Sequence, residues 1–204
     1  MTVRDRVAIF GAQQTGKSTI ALEIYRRWSR FLGFDPKAES WLLPPNTAVA
    51  RSGADAASRF PGRVMYYPPM VDVRRQRADF DVAVQKVIQR RGGGIVIHEG
   101  HALVDEDNCP PALDVALWQG PGMEIPMVYC FQEPVRIWRP FFSQANVVIV
   151  TAFSIRDHWR ILARELGAPA LGEPHAPDFT FTVWRRADPR LGIAESLAHF
   201  PPLR

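Results

Sequence analysis

Gly11, Ala12, Gln13, Gln14, Thr15, Gly16, Lys17, Ser18 and Thr19 follow directly on an apolar run that ends at Phe10. This spacing suits the grip of a polyphosphate. Gly11 and Gly16 let backbone N–H groups turn inward around a β-phosphate, and the start of a following helix adds partial positive charge. Lys17 can reach the β- and γ-phosphates, and the Ser18 hydroxyl can hold Mg2+, so the implied ligands are ATP and Mg2+. A cradle alone hydrolyses nothing, and the next requirement is an acidic group at the end of a neighbouring strand. Glu99 follows the apolar triplet Ile95, Val96 and Ile97 and can orient an attacking water. The position before it, where an aspartate commonly helps to hold the metal, is His98. A neutral imidazole is a poor partner for Mg2+, so metal binding is expected to rest on Ser18, phosphates and water, with the His98 region a second contact through water. Gln132 follows the run from Met127 to Phe131 and can face the same crevice as a sensor of the γ-phosphate or the attacking water. An ordinary loop glutamine is the plainer alternative.

The elements that must hold these groups can be read in order. Arg6 to Phe10 reads as a strand, residues 11 to 16 as a loop, and Lys17 to Phe31 as a helix, with Ile20, Leu22, Ile24, Trp28 and Phe31 at mostly helical spacings. A strand near Arg63 to Tyr67 comes next. An amphipathic helix within "VDVRRQRADFDVAVQKVIQRRGG" is ended by Gly92 to Gly94, and Ile95 to Ile97 form a short strand buried on both faces. Further strands are expected at Met127 to Phe131 and Val147 to Phe153, a helix from near Ile155, and a closing strand pair around "FTFTVWRR". "SWLLPPNTAVARSGADAASRFPG" reads as a strand end and a surface loop. The expectation is an α/β fold in one P-loop NTPase domain over residues 1–204, with a mostly parallel central sheet flanked by helices.

Composition bounds the partners. With 204 residues, 47% hydrophobic and 23% charged, the chain can bury one substantial core. No apolar stretch approaches the roughly 20 residues that span a bilayer, and the N-terminus lacks a signal-peptide core, so a cytoplasmic protein is expected. Cys109 and Cys130 have neither metal-ligand spacing nor the numbers of a disulfide framework, and read as reduced thiols. A net charge of +4 permits contact with a polyanion without demanding it. Among 25 basic residues only Lys17, Lys37 and Lys86 are lysine, and one of them sits inside the motif. Arg74, Arg75 and Arg77 precede the amphipathic helix, while Arg136 and Arg139 flank Trp138. A solvated face explains either cluster, and Arg75 is the candidate for a role in a neighbouring subunit's site or in DNA contact. His101, Asp105, Glu106 and Asp107 read as a polar loop more readily than as a metal cluster. Trp138, Phe141 and Phe142 read as core or subunit contact.

The order of strands and motifs, from "AIFGAQQTGKS" through "GIVIHEGH" to "MVYCFQEPVRIWRPFFSQANVVIVTAFSIRDHWRIL", resembles the RecA/FtsK-like additional-strand P-loop ATPases of the FtsK-HerA superfamily. Within them it is similar to the small genome-packaging ATPases of tailless, membrane-containing icosahedral viruses, bacteriophages among them. The resemblance spans most of the chain; His98, where an aspartate is usual, departs from it. It implies a homo-oligomeric ring, a hexamer, that moves double-stranded DNA into a preformed capsid by hydrolysing ATP, with Lys17, Glu99 and Gln132 as catalytic residues. It further implies capsid vertex or membrane proteins of the virion as partners, and a place in the host cytoplasm during assembly or at the packaging vertex. A P-loop small-molecule or nucleoside kinase and a non-translocating assembly ATPase stay open as alternatives.

Overall fold

The computed structural model describes residues 5–69, 72–168, 181–187 and 196–200, the last for backbone. The strands are β1 (Arg6–Phe10), β2 (Phe31–Phe34), β3 (Thr47–Ala50), β4 (Arg63–Tyr66), β5 (Gly94–Ile97), β6 (Met127–Phe131), β7 (Val147–Val150), β8 (Phe181–Arg185) and β9 (Ser196–Phe200). The helices are α1 (Lys17–Tyr25), α2 (Gly53–Arg59), α3 (Val73–Arg90), α4 (Pro111–Gln119), α5 (Pro140–Ser143) and α6 (Arg156–Leu166). The nine strands among the described residues join one sheet in the order β3-β4-β2-β5-β6-β1-β7-β8-β9. The first seven in that order pair in parallel, and β8 and β9 add an antiparallel strand pair at one edge.

Alternation along each strand divides the core between two faces. Val7, Ile9, Val96, Val128 and Cys130 join Ile20, Ala21 and Tyr25 of α1 on one face. Ala8, Phe10, Ile95, Ile97, Tyr129 and Phe131 meet Phe80 and Val84 of α3, Leu113 of α4, Phe141 of α5 and Trp159 of α6 on the other. Burial on both faces is why these strands are uninterrupted apolar runs. Phe141 and Phe142 are core residues, and the Trp138 indole donates to Asp114 at 3.0 Å, as the core reading of these aromatics expects.

Three boundaries differ from expectation. The first helix ends at Tyr25, and Phe31 opens β2 between β4 and β5. Phe31 and Trp28 carry helical spacing by coincidence with the apolar strand that follows. The segment read as a loop before Arg63 holds β3 and α2, whose N-cap is Ser52 accepting from Asp55 N at 3.2 Å. Gly53, which reads as a loop signal, serves close approach instead: a Cβ there would lie 1.9 Å from the Asp79 carbonyl on α3. Finally β7 stops at Val150, because Thr151 and Ala152 turn aside to bind the loop after β1.

Parallel pairing puts the C-terminal tips of β1, β2, β5, β6 and β7 along one edge, with Phe10 opposite Phe131 and Val150, and Phe34 opposite Ile97. In such sheets this is the edge at which ligands bind. β6 stands between β1 and β5, so the tip bearing Gln132 separates the glycine-rich loop from the tip bearing His98 and Glu99.

Candidate active site

The loop from Gly11 to Gly16 is fixed from β7. Ala12 N donates to the Ala152 carbonyl at 2.5 Å, and the Thr15 and Thr151 hydroxyls lie 2.6 Å apart. Gly11, at φ 153, has no room for a side chain: a Cβ would sit 1.9 Å from Thr151 Oγ1. Gly16 caps α1 in the left-handed region at φ 89, leaving the first amides of the helix open to the cleft. Lys17 is 7% exposed and its Nζ donates to the Ala12 carbonyl at 2.5 Å, so the ammonium already lies against the loop. Burial lowers its pKa from the ordinary lysine value, against the opposing pull of Glu99.

Lys17, Ser18 and Thr19 line a cleft of about 510 Å³ together with Gln13, Gln14, Gly16, Lys37, Glu39, Trp41 and Glu99. Glu99 holds a left-handed backbone at φ 58, and both of its carboxylate oxygens are engaged. Oε1 pairs with Lys37 Nζ at 2.5 Å, and Oε2 accepts from Gln132 Nε2 at 2.5 Å. Gln13 Nε2 reaches Gln132 Oε1 at 3.4 Å, which continues the chain of contacts back to the loop. Burial alone would raise the Glu99 carboxyl. The hydrogen bonds from Lys37 and Gln132, with the charges of Lys37 and Lys17, outweigh it and hold the group below the ordinary glutamate value. A second cleft of about 700 Å³, lined in part by Gln13, Glu99, Gln132, Arg136 and His158, opens on the other side of this contact chain.

His98 goes elsewhere. It is 2% exposed, its Nε2 lies 3.3 Å from the Tyr25 hydroxyl, and the two rings meet edge to face. Tyr25 is the last residue of α1, two turns beyond Ser18, so the imidazole packs beneath the helix. Burial pushes its pKa down to about 4 and keeps it neutral near pH 7. The hard oxygen donors around the cleft, the Ser18 hydroxyl and the Glu99 and Glu39 carboxylates, fit Mg2+, which keeps several waters of its own.

Arg75 is exposed on the first turn of α3 and lines neither cleft. Arg77 pairs with Asp105 at 2.9 Å. Asp105 also accepts from Asn108 and from Asp107 N, and among the described residues no group of three or more His, Cys, Asp and Glu side chains is placed to hold a metal. Cys109 and Cys130 are free. No described helix is long and apolar enough to cross a membrane.

Sequence reasoning missed Lys37, Glu39, Trp41 and Thr151. They arrive from the ends of β2 and β7, and only Lys37 carried a signal, as a rare lysine in an arginine-rich chain.

No protein-family model matches the sequence, and no curated protein is detectably similar to it. Among solved structures, the genome packaging NTPase B204 from Sulfolobus turreted icosahedral virus 2, in complex with ATP-gammaS, superposes with a TM-score of 0.73 at 15% identity, covering 100% of both chains. The cytoplasmic domain of the Thermomonospora curvata type VII secretion ATPase EccC gives 0.58 at 14% identity, covering 98% of this chain and 24% of that one. The N-terminal domain of zonular occludens toxin from Neisseria meningitidis gives 0.53 at 11% identity, over 98% and 95% of the two chains. The chain thus has the P-loop NTPase fold seen in a viral genome packaging NTPase, with both chains covered in full.

Proposed function

We propose that this chain is an ATP-hydrolysing motor that moves double-stranded DNA into a preformed viral capsid, acting as a homo-oligomeric ring. The observation that carries the reading is the Glu99–Gln132 contact at the tips of β5 and β6, bordering the cleft that holds Lys17 and Ser18. Gly11 to Thr19 would wrap the phosphates, Lys17 would neutralise the β- and γ-phosphates, and Ser18 would hold Mg2+, which supplies charge neutralisation to the phosphates when bound. In hydrolysis the water oxygen bonds to the γ-phosphorus while the bond to the β,γ-bridging oxygen breaks. ADP keeps that electron pair, and Glu99 orients the water and accepts its proton. Gln132 would sense the γ-phosphate or the water. The whole-length likeness to a genome packaging NTPase supports the choice of DNA as cargo, and the +4 net charge is compatible with it. A hexameric ring, virion vertex or membrane proteins as docking partners, and action in the host cytoplasm belong to the same reading.

A non-translocating assembly ATPase is the second reading, since an ATPase of a role other than packaging, the type VII secretion ATPase EccC, shares the fold. The kinase reading has less support. "RRQR" lies in the first turns of α3, where Gln76 donates to the Pro69 carbonyl at 2.9 Å and Arg77 is paired, so it does not form a lid.

The test is steady-state ATP hydrolysis with and without double-stranded DNA, at low and moderate salt and several protein concentrations. Stimulation that fades with salt, with activity rising faster than protein concentration, is the expected outcome. Turnover indifferent to DNA and proportional to protein would overturn the translocase and favour the second reading.

A further inference from the structure

Lys37 stands in the cleft without a role in the reading above. It lies just beyond the tip of β2, and the turn that carries it is built around Asp35, which is fully buried. Asp35 Oδ1 accepts from Lys37 N at 3.0 Å and its Oδ2 from Glu39 N at 2.7 Å, while Ala38 takes a left-handed backbone at φ 54. The Tyr67 hydroxyl donates to the Glu39 carbonyl at 3.2 Å. The backbone at Lys37 is therefore held from several sides, whereas its side chain is 45% exposed and reaches into the cleft.

Its only ion pair among the described residues is with Glu99. That carboxylate is the group assigned above to orient the water, and Lys37 and Gln132 bond to its two oxygens. An ion pair exposed to this degree is weak and readily exchanged. A terminal phosphate carries more charge than a carboxylate and offers a compact ammonium a better partner. The residue type points the same way: in a chain that otherwise uses arginine, two of its three lysines line this one cleft.

We propose that Lys37 is a γ-phosphate sensor whose ammonium, paired with Glu99 Oε1, exchanges that carboxylate for the terminal phosphate of a bound nucleoside triphosphate and so leaves Oε1 to the attacking water. The proposal rests on the nucleotide-hydrolysing reading of the same cleft. It ties the competence of Glu99 to the presence of the very phosphate to be cleaved, and ADP, which lacks that phosphate, leaves the pair closed.

Calorimetric titration of the full chain with ATPγS and with ADP tests this, using wild type, Lys37→Met, Glu99→Gln, the double variant, and Lys17→Ala as reference. Lys37→Met is expected to weaken ATPγS binding about tenfold while ADP binding stays within about twofold. Glu99→Gln is expected to tighten ATPγS severalfold by releasing Lys37, and the double variant to lose that gain, a non-additivity that a purely structural ion pair would not produce. Unchanged discrimination between ATPγS and ADP in Lys37→Met, or tightening in Glu99→Gln that survives loss of Lys37, overturns the sensor. Equal, unaltered binding of both nucleotides by Lys17→Ala, or none by wild type, would instead defeat the nucleotide reading on which it rests.

Discussion

The cleft has two walls of different kinds. On one, residues 11 to 19 form a continuous piece of chain: a strand end, a glycine turn and a helix start, whose ammonium at Lys17 bonds to its own loop at Ala12. On the other, Lys37, Glu99 and Gln132 come from the tips of β2, β5 and β6 and meet only because parallel pairing brings those tips to one edge. The first wall is contiguous in sequence and is braced from β7 by Thr151 and Ala152. The second exists only in the folded sheet, where its groups bond to one another. The difference suggests a division of labour in which the local wall binds and the assembled wall decides whether what is bound gets hydrolysed.

Removing Lys17 should show the larger effect. Lys17→Ala deletes the cation nearest the loop, and turnover is expected to fall at least about a hundredfold, with nucleotide affinity lost as well and thermal unfolding little changed. Glu99→Gln should separate the walls: nucleotide still binds, while turnover drops by about a hundredfold or more, the worth of a positioned base. Steady-state rates paired with titration calorimetry check both. If Glu99→Gln lost binding as fully as Lys17→Ala, the division between the walls would be wrong.

The same contrast governs what could be read from the sequence. The glycine-rich loop was legible because its function is written in contiguous residues, and so were the parallel strands, whose apolar runs record burial on both faces. Glu99 and Gln132 were legible as strand-tip polar residues, but not as hydrogen-bonded to each other, since nothing local says that β6 lies beside β5. Lys37 was harder still. Its wall depends on β2, and β2 was hidden inside a helix reading because Trp28 and Phe31 continue the spacing of α1. β3 and α2 were lost to the opposite error: glycine, alanine and proline marked a loop where Gly53 provides close helix contact.

His98 and Glu99 sharpen the comparison at the scale of adjacent residues. One points under α1 and is sealed from solvent beside Tyr25; the other enters the cleft. With a folded pKa of about 4 against an ordinary 6.5, His98 binds its proton more tightly in the unfolded chain. Stability should therefore rise with pH between about 4 and 6.5 and be unaffected by this group above that window. The full difference is about 3 kcal/mol, from roughly 1.4 kcal/mol per unit. Denaturant titrations at pH 7, 5.5 and 4 should show that part of the slope in wild type and its absence in His98→Gln. An identical slope in both would mean that His98 is not buried neutral.

The smallest effect is expected outside the cleft. Arg136 lines the larger cavity beside Glu99 and Gln132, whereas Arg75 sits exposed on the first turn of α3 with no place in either. If Arg75 meets DNA phosphates, Arg75→Ala should leave basal ATP hydrolysis as it is, weaken binding to double-stranded DNA a few-fold whatever its sequence, and reduce the dependence of log affinity on log salt by about one. A role in a neighbouring subunit's site has a different signature: the variant's loss would appear in turnover, grow with protein concentration as rings form, and be rescued by mixing with Lys17→Ala subunits. In mixed rings an Arg75→Ala subunit beside a Lys17→Ala subunit keeps an intact cleft and receives an intact Arg75. Measuring DNA affinity and mixed-subunit turnover on the same variant therefore assigns Arg75 to the DNA path or to the subunit boundary, and no change in either returns it to the solvated face of α3.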